Sequence, residues 1–525
     1  MTDRILIVDA LGAGSGQRRS SRDSIGCGPR TIAGVFEKNG YPARIVRAED
    51  ILRNKSSLRK FNHLLLSAMT MDLLAAQLVV SIWNRYNPQG KIIIGGPIAT
   101  NAANLFHDLK PDVYVIGEGE LTLENLITKG FFNSKIDLNS INGIAFLESD
   151  NVIITAKRPH LDSEGFSGFN PSTTRIIDYK AYQACKVYVE TVRGCSNYNR
   201  TRIQLPDRRE CSECGNCESL KADERLECPE NIPPGCGFCS VPAIWGPPRS
   251  RNPDAIIQEV EELLDLGVHR IVLEAPDFLD YMRGPSPVTN PCSPPANLEA
   301  ISMLLSSLQA LEQFQEGTAH LSIENIKACL FDESAAKTIS ESLPSCSPNI
   351  GLETGSEEHM RAIGKCGTPT DVLKAVRIAK EHKMTPFVYF IYGLPGETPD
   401  TVNASMRLMN EVENAGVERI ILYAFRSLPG SAFAYFPDAE INNPMSQKMR
   451  DTAVQINLKR KHNYVGKTLK GIAAEPSWER HGYTMIYPLA EGPLMTVQGG
   501  FSPGTLLKVR VTKVLSEGLL AGEVL

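Results

Sequence analysis

Seven of the thirteen cysteines in this 525-residue chain fall between Cys195 and Cys239. Cys211, Cys214 and Cys217 form C-x2-C-x2-C, Cys228 follows with Pro229 behind it, Cys236 and Cys239 make a second C-x2-C pair, and Cys195 stands alone after Arg193-Gly194. Thiols this closely spaced in a reducing compartment converge on iron or zinc rather than pair as disulfides. Cys27, Cys185, Cys292, Cys329, Cys346 and Cys366 are scattered, and each reads as a small buried hydrophobe.

Composition narrows what can hold such a site. Apolar residues make up 42% and charged residues 22%, which excludes a disordered, collagen-like or coiled-coil chain. The length suits about three domains, and a formal charge of −5 provides no global basic field for nucleic acid. The start MTDRILIVDA carries Asp3 and Arg4 where a secretory signal needs an apolar run, so a cytoplasmic location is expected. Leu64 to Trp83 approaches membrane length but contains Ser67, Thr70, Asp72 and Gln77, and reads better as a buried strand followed by a helix than as a membrane span.

The fold class expected is α/β in three parts. Residues 1–140 alternate short β-rich runs (Arg4 to Val8, His63 to Ser67, Lys91 to Gly95, Val113 to Ile116) with helical stretches, which predicts a doubly wound, Rossmann-like parallel sheet. Its ligands would bind beyond the carboxyl ends of the strands, at Asp9 to Gly28, Ser67 to Met71, Gly95-Gly96-Pro97 and Gly117-Glu118-Gly119-Glu120. The tract Gly12-Ala13-Gly14-Ser15-Gly16 lacks the spacing of a dinucleotide fingerprint. Residues 141–183 read as a hairpin and linker. Residues 184–458 supply six strand candidates, Val187 to Thr191, Arg270 to Glu274, Leu321 to Glu324, Ile350 to Glu353, Phe387 to Tyr392 and Ile420 to Tyr423, with helices between them. That order predicts a partial β/α barrel with Cys195, Glu274, Glu324, Glu353 and Gly393 at its strand ends. Residues 459–525 change to short strands with glycine and proline, a small β-barrel in which nine Lys or Arg oppose five Asp or Glu.

With those positions in view, Arg193-Gly194-Cys195 and Cys236-Gly237-Phe238-Cys239 resemble the C-x3-C-x2-C loop of radical S-adenosylmethionine enzymes, opened by a 40-residue insertion, 196–235. Gly351 to Ser356 (GLETGS) and Tyr392 to Thr398 (YGLPGET) resemble two further strand-end segments of that family. The resemblance implies a 4Fe-4S cluster on Cys195, Cys236 and Cys239, and S-adenosylmethionine beside Phe238, Glu353, Ser356 and Gly393. Ser67 to Thr70, Gly95-Gly96-Pro97 and DVYVIGEGE from Asp112 resemble cobalamin-binding domains, implying cobalamin near Ser67, Met69, Thr70, Gly95, Gly96, Gly117 and Glu118. No Asp-x-His-x-x-Gly follows the first strand, so no histidine is offered to cobalt there. The tail resembles the TRAM barrel of RNA-modifying enzymes.

This domain order is most similar to cobalamin-dependent radical methyltransferases, in particular the archaeal enzymes that C-methylate a glutamine of methyl-coenzyme M reductase. The resemblance implies methylation of an unactivated carbon through a 5′-deoxyadenosyl radical and methylcobalamin, a protein substrate (the α subunit of methyl-coenzyme M reductase), an external electron donor and no membrane partner. Polar acid and base chemistry cannot easily deprotonate such a carbon, which is why two cofactors would be carried. Cys211, Cys214, Cys217 and Cys228 would close an auxiliary 4Fe-4S centre that passes electrons, with tetrahedral zinc as the alternative. A methylthiotransferase acting on tRNA and a zinc-binding structural or regulatory protein remain the rival readings. A solvated basic face is the readier explanation of the tail's charge, and binding of a polynucleotide or an acidic protein is the alternative.

Overall fold

The computed structural model describes residues 3–18 and 21–525. Positions 1, 2, 19 and 20 lie outside the described residues, the last two within the candidate ligand loop Asp9 to Gly28. Two compact units emerge, one reaching to Tyr182 and taking in Glu261–Leu266, the other made of Gln183–Val260 and Gly267–Leu525.

In the first unit five parallel strands lie in the order Ala43–Arg47, Ile5–Asp9, His63–Ser67, Ile92–Gly95, Val113–Val115. The chain leaves Ile5–Asp9 toward one edge and then returns to build toward the other, so the strand order reverses between Ile5–Asp9 and His63–Ser67, where open α/β sheets take their ligands. Leu6, Val8, Leu64, Leu66, Ile92 and Ile94 form one core with Val79, Trp83 and Phe106 from the helices Leu73–Tyr86 and Ala102–Leu109. The alternate residues Ile5, Ile7, Leu65 and Ile93 are buried on the opposite face. Burial on both faces explains the unbroken apolar runs. It also resolves Leu64 to Trp83 into a strand and a helix, and among the described residues no helix is long and apolar enough to cross a membrane.

Two features differ from the sequence reading. The strand Ala43–Arg47 was not anticipated, because Arg44 and Arg47 interrupt its apolar pattern at the sheet edge. The hairpin Ile144–Glu148 and Asn151–Ile154 extends this same sheet in antiparallel fashion instead of standing apart from it.

The second unit contains six parallel strand positions. Lys186–Glu190, Arg270–Glu274 and His320–Ile323 form one sheet, and Asn325–Ile326, Asn349–Glu353, Phe387–Tyr392 and Arg419–Ala424 the next. Glu324 alone separates His320–Ile323 from Asn325–Ile326, so the two sheets are arcs of one open β/α barrel. Its helices begin where side chains satisfy free amides. Thr368 Oγ1 accepts from the Asp371 amide at 3.1 Å while Asp371 Oδ2 accepts from the Thr368 amide at 2.8 Å, with Pro369 in the first turn of Pro369–Glu381. Gly416, at φ 102°, ends Pro399–Ala415 in the left-handed conformation that favours glycine.

The helix Pro444–His462 runs through the expected boundary at 459 and leads into a closed five-stranded barrel of Thr468–Pro476, Tyr483–Pro488, Leu494–Gln498, Leu519–Val524 and Leu506–Ser516. Ala473, Ile486, Met495, Val497, Val509 and Leu520 fill it. Its first strand escaped the sequence reading because Lys470-Gly471 and the terminal Glu475-Pro476 resemble loop chemistry.

Candidate functional site

Cys195 lies just beyond the first barrel strand, on a turn that only glycine permits. Gly194 has φ 89°, and a Cβ there would fall 2.3 Å from the Pro247 carbonyl oxygen. The Cys195 amide then donates to Gly246 O at 3.1 Å. The second cysteine segment is pinned equally closely. A Cβ on Gly237 would lie 2.4 Å from the Phe433 ring, the Gly237 amide donates to Ile363 O at 2.7 Å, and the Cys239 amide donates to Cys236 O at 2.8 Å.

The insertion closes on itself, since the Gly235 amide donates to Asn199 O at 2.8 Å. Asn197 therefore reaches both segments. Its side-chain amide donates to Cys236 Sγ at 3.2 Å and to Gly364 O at 3.0 Å, and its backbone amide donates to Cys195 Sγ at 3.4 Å. Cys239 Sγ accepts from the Val241 amide at 3.5 Å. Cys195, Cys236 and Cys239 are thus brought to one place across 40 intervening residues.

Burial pushes all three thiols up, Cys239 to about 11. Two buried lysines oppose that. Lys327 acts on Cys195, and Lys365 acts on Cys236 and Cys239. Burial pulls each lysine down, but neighbouring carboxylates more than reverse it and keep both charged. Lys327 Nζ lies 2.8 Å from Asp277 Oδ2 and from Asp280 Oδ2, and donates to Ser196 Oγ at 2.9 Å. Asp280 also pairs with Arg283 at 2.8 Å. Lys365 Nζ pairs with Glu353 Oε1 at 2.9 Å. Isolated lysines and aspartates give no spacing pattern, so sequence reasoning missed Asn197, Asp277, Asp280, Arg283, Lys327 and Lys365.

The residues expected beside S-adenosylmethionine occupy strand ends with distinct local roles. Glu353 is buried at φ 71°, on the bulge that follows Gly351. Ser356 caps the helix Glu357–Ala362, its hydroxyl accepting from the His359 amide at 3.3 Å. Gly393, at φ 74°, donates its amide to Glu397 Oε2 at 2.9 Å. Phe238 packs against the apolar cluster of Ile363, Leu394, Phe425 and Phe433.

In the first unit, a residue that the sequence reading used only to reject a membrane span organises the loops at the reversal point. Asp72 is wholly buried, and its carboxylate accepts from the amides of Gly12 (3.0 Å), Gly14 (2.7 Å) and Met69 (3.0 Å). Beside it Met69, Met71, Leu74 and Leu78 are 41–58% exposed, an apolar surface of the kind soluble proteins keep for ligands or partners. Ser67 Oγ and Ala68 O approach Gly96, whose φ is 85°, and Gly95 ends its strand at the same edge. Gly117 turns at φ 79° into open space. Glu118 Oε2 accepts from the Leu161 amide at 2.7 Å, an anchoring role that the sequence reading did not assign.

Within the insertion, Cys211 and Cys228 pack on the same apolar cluster as Phe238, Cys217 Sγ lies 3.7 Å from Arg200 Nη1, and Cys214 is exposed. The scattered cysteines require a correction. Cys185 and Cys346 are buried small residues as expected, but Cys292 and Cys329 are joined as a disulfide and Cys366 lies against them. Folding brings together three positions whose wide sequence separation concealed any pattern.

Residues 228–409 match the model of the Radical SAM superfamily, a segment that takes in Cys236 and Cys239. An uncharacterized protein of Methanopyrus kandleri is 37% identical over 528 aligned residues, covering 100% of this chain and 96% of its own length. One of Methanocaldococcus jannaschii is 40% identical, covering 99% and 98%. This chain belongs to their family, a radical SAM family. More distantly, the tRNA-2-methylthio-N(6)-dimethylallyladenosine synthase of Clostridium novyi is 24% identical over 55% of this chain and 62% of its own. In fold, the chain is similar to the radical S-adenosylmethionine methyltransferase TsrM from Kitasatospora setae (TM-score 0.58, 14% identity, 82% of this chain and 75% of that one). It is also similar to the cobalamin-dependent S-adenosylmethionine radical enzyme OxsB (TM-score 0.56, 13% identity, 88% and 56%).

Proposed function

We propose that this radical SAM protein is a cobalamin-dependent methyltransferase that methylates an unactivated carbon of a protein. The observation that carries the reading is the joint presence of two features: Cys195 and Cys236 bridged by Asn197 with Cys239 beside them, and the apolar surface of Met69, Met71, Leu74 and Leu78 at the sheet's reversal point. The donor set fits a 4Fe-4S cluster, since three half-buried cysteines already receive N–H···S hydrogen bonds and face two cationic lysines. When bound, the cluster with S-adenosylmethionine supplies a carbon radical, and cobalamin supplies the methyl group.

The chain's own residues hold and shield. Cys195, Cys236 and Cys239 would hold the cluster as thiolates, and Lys327 and Lys365 would balance their charge. Gly194 and Gly237 let the backbone approach closely enough to fix the loop. Glu353 and Ser356, at one strand end, would orient S-adenosylmethionine, and Phe238 would cover the loop's apolar side. Asp72 holds the loops on which Ser67, Met69, Thr70, Gly95, Gly96 and Gly117 would meet the corrin. Cys211, Cys214, Cys217 and Cys228 are assigned an auxiliary iron-sulfur centre that takes electrons from an external donor.

The substrate put forward is a glutamine of the methyl-coenzyme M reductase α subunit. Incubation of the anaerobically reconstituted protein with cobalamin, deuterated S-adenosylmethionine and a peptide spanning that glutamine tests it, with label sought by mass spectrometry. Trideuteromethyl on carbon supports the reading. The likeness to a tRNA methylthio synthase favours one rival, so a parallel tRNA reaction is included, and a methylthio group on RNA would replace the proposal.

A further inference from the structure

Outside the site above, Cys292, Cys329 and Cys366 offer sulfur atoms that all lie within 4.8 Å of one another. We propose that, once the Cys292–Cys329 disulfide is reduced, these three thiols hold a single thiophilic divalent cation of the zinc type, a second metal centre in the radical SAM unit. The spacing suits one ion. At a Zn–S distance of about 2.3 Å, tetrahedral thiolates stand roughly 3.8 Å apart.

Three separate elements deliver the ligands, and each is tied to the residues around Cys195 and Cys236. The loop carrying Cys292 is gathered by the buried Arg283, which donates to Asn290 O (2.9 Å) and Pro294 O (2.9 Å) while pairing with Asp280. Cys329 stands two residues after Lys327 on the turn Ala328–Leu330. Cys366 follows Lys365, and Gly367, at φ 76°, brings the backbone against Cys329. Asp280 and Lys327 both contact Ser196, the neighbour of Cys195, so the trio and the radical-cluster loop share one buried ionic network. Cys292 is exposed, which provides an entry path for reductant and metal.

The redox step balances with a dithiol as reductant. Two electrons and two protons pass from the dithiol to the Cys292–Cys329 bond, giving two thiols and a cyclic disulfide. Metal binding then releases thiol protons to water. A disulfide here is disfavoured in a reducing compartment, which leaves three converging thiols with a use as ligands.

The test uses the full chain with its iron-sulfur content reconstituted anaerobically, reduced with dithiothreitol, desalted, and equilibrated with Zn2+ alone or with Co2+ alone. Wild type should retain one zinc per chain more than Cys366→Ser, and Co2+ should show thiolate-to-cobalt absorption that Cys366→Ser loses. Cys366→His, which keeps a zinc ligand, should retain the metal, and the unreduced chain should not bind it. Zinc affinity should fall at least tenfold in Cys366→Ser with iron content unchanged. Should that variant misfold by circular dichroism, Cys292→Ser at the exposed ligand provides the same readout. Equal zinc in wild type and variants, loss of iron with the trio, or a disulfide that persists after reduction would each overturn the proposal.

Discussion

The side-chain amide of Asn197 donates to the sulfur of Cys236 from 3.2 Å, although 38 residues separate the two in sequence. That bond and the one from the Asn197 backbone to Cys195 bridge the gap that the insertion opens. Hydrogen bonds that orient a metal's ligands typically account for ten- to a hundredfold in metal affinity or activity. Asn197→Ala should therefore lower cluster occupancy and slow S-adenosylmethionine cleavage by about tenfold or more. Iron content and 5′-deoxyadenosine formation report the two effects, and wild-type values for both would remove Asn197 from the site's support.

Asp72 makes a comparable claim in the first unit. Its carboxylate receives three backbone amides from the two loops at the reversal point, with no water-exposed surface of its own. Asp72→Ala leaves those amides unpaired, at about 1–3 kcal/mol for each that stays buried. Hydroxocobalamin binding by equilibrium dialysis should weaken at least tenfold, while the cluster bound by the second unit keeps its iron. Unchanged cobalamin affinity would show that these loops do not form the corrin site.

What the sequence disclosed, it disclosed through periodicity and spacing. Arg270–Glu274 and Phe387–Tyr392 have the bounds read from the sequence because buried parallel strands are short apolar runs bracketed by polar residues. Cys236 and Cys239 were legible because only Gly237 and Phe238 stand between them. Lys365, Asp280 and Cys366 were not, since their partners Glu353, Lys327 and Cys329 come from other strand ends and meet only when the barrel closes. The strand Ala43–Arg47 was obscured by the arginines that an edge position tolerates.

The pairing of Lys365 with Glu353 separates a structural role from a cofactor role. Both side chains are largely out of water, at 16% and 9% exposure. Removing one partner of a buried pair costs roughly 3–5 kcal/mol because the other charge is left stranded. Lys365→Met should thus lower the thermal midpoint markedly, and the double variant Lys365→Met with Glu353→Gln should recover most of it. If Glu353 meets S-adenosylmethionine, the double variant still cleaves it poorly. Restored stability together with restored cleavage would reduce Glu353 to a barrel cap.

Glu324, the residue between the two barrel arcs, fixes a pH dependence. Burial raises its carboxyl pKa from 4.5 to about 7, against the opposing pull of Lys186 and a hydrogen bond from Tyr188. A raised carboxyl pKa means that the folded chain binds this proton more tightly than the unfolded chain does. Between pH 4.5 and 7 the folded state therefore carries the extra proton, and its stability falls as pH rises, at up to about 1.4 kcal/mol per pH unit, before levelling above 7. Glu324→Gln cannot ionise, so it should remove this contribution and raise the unfolding midpoint at pH 8 relative to wild type, with little difference near pH 5. Thermal unfolding of both proteins across that range checks the sign. Parallel profiles would mean that Glu324 is charged within the folded barrel, and that water or a cation reaches it there.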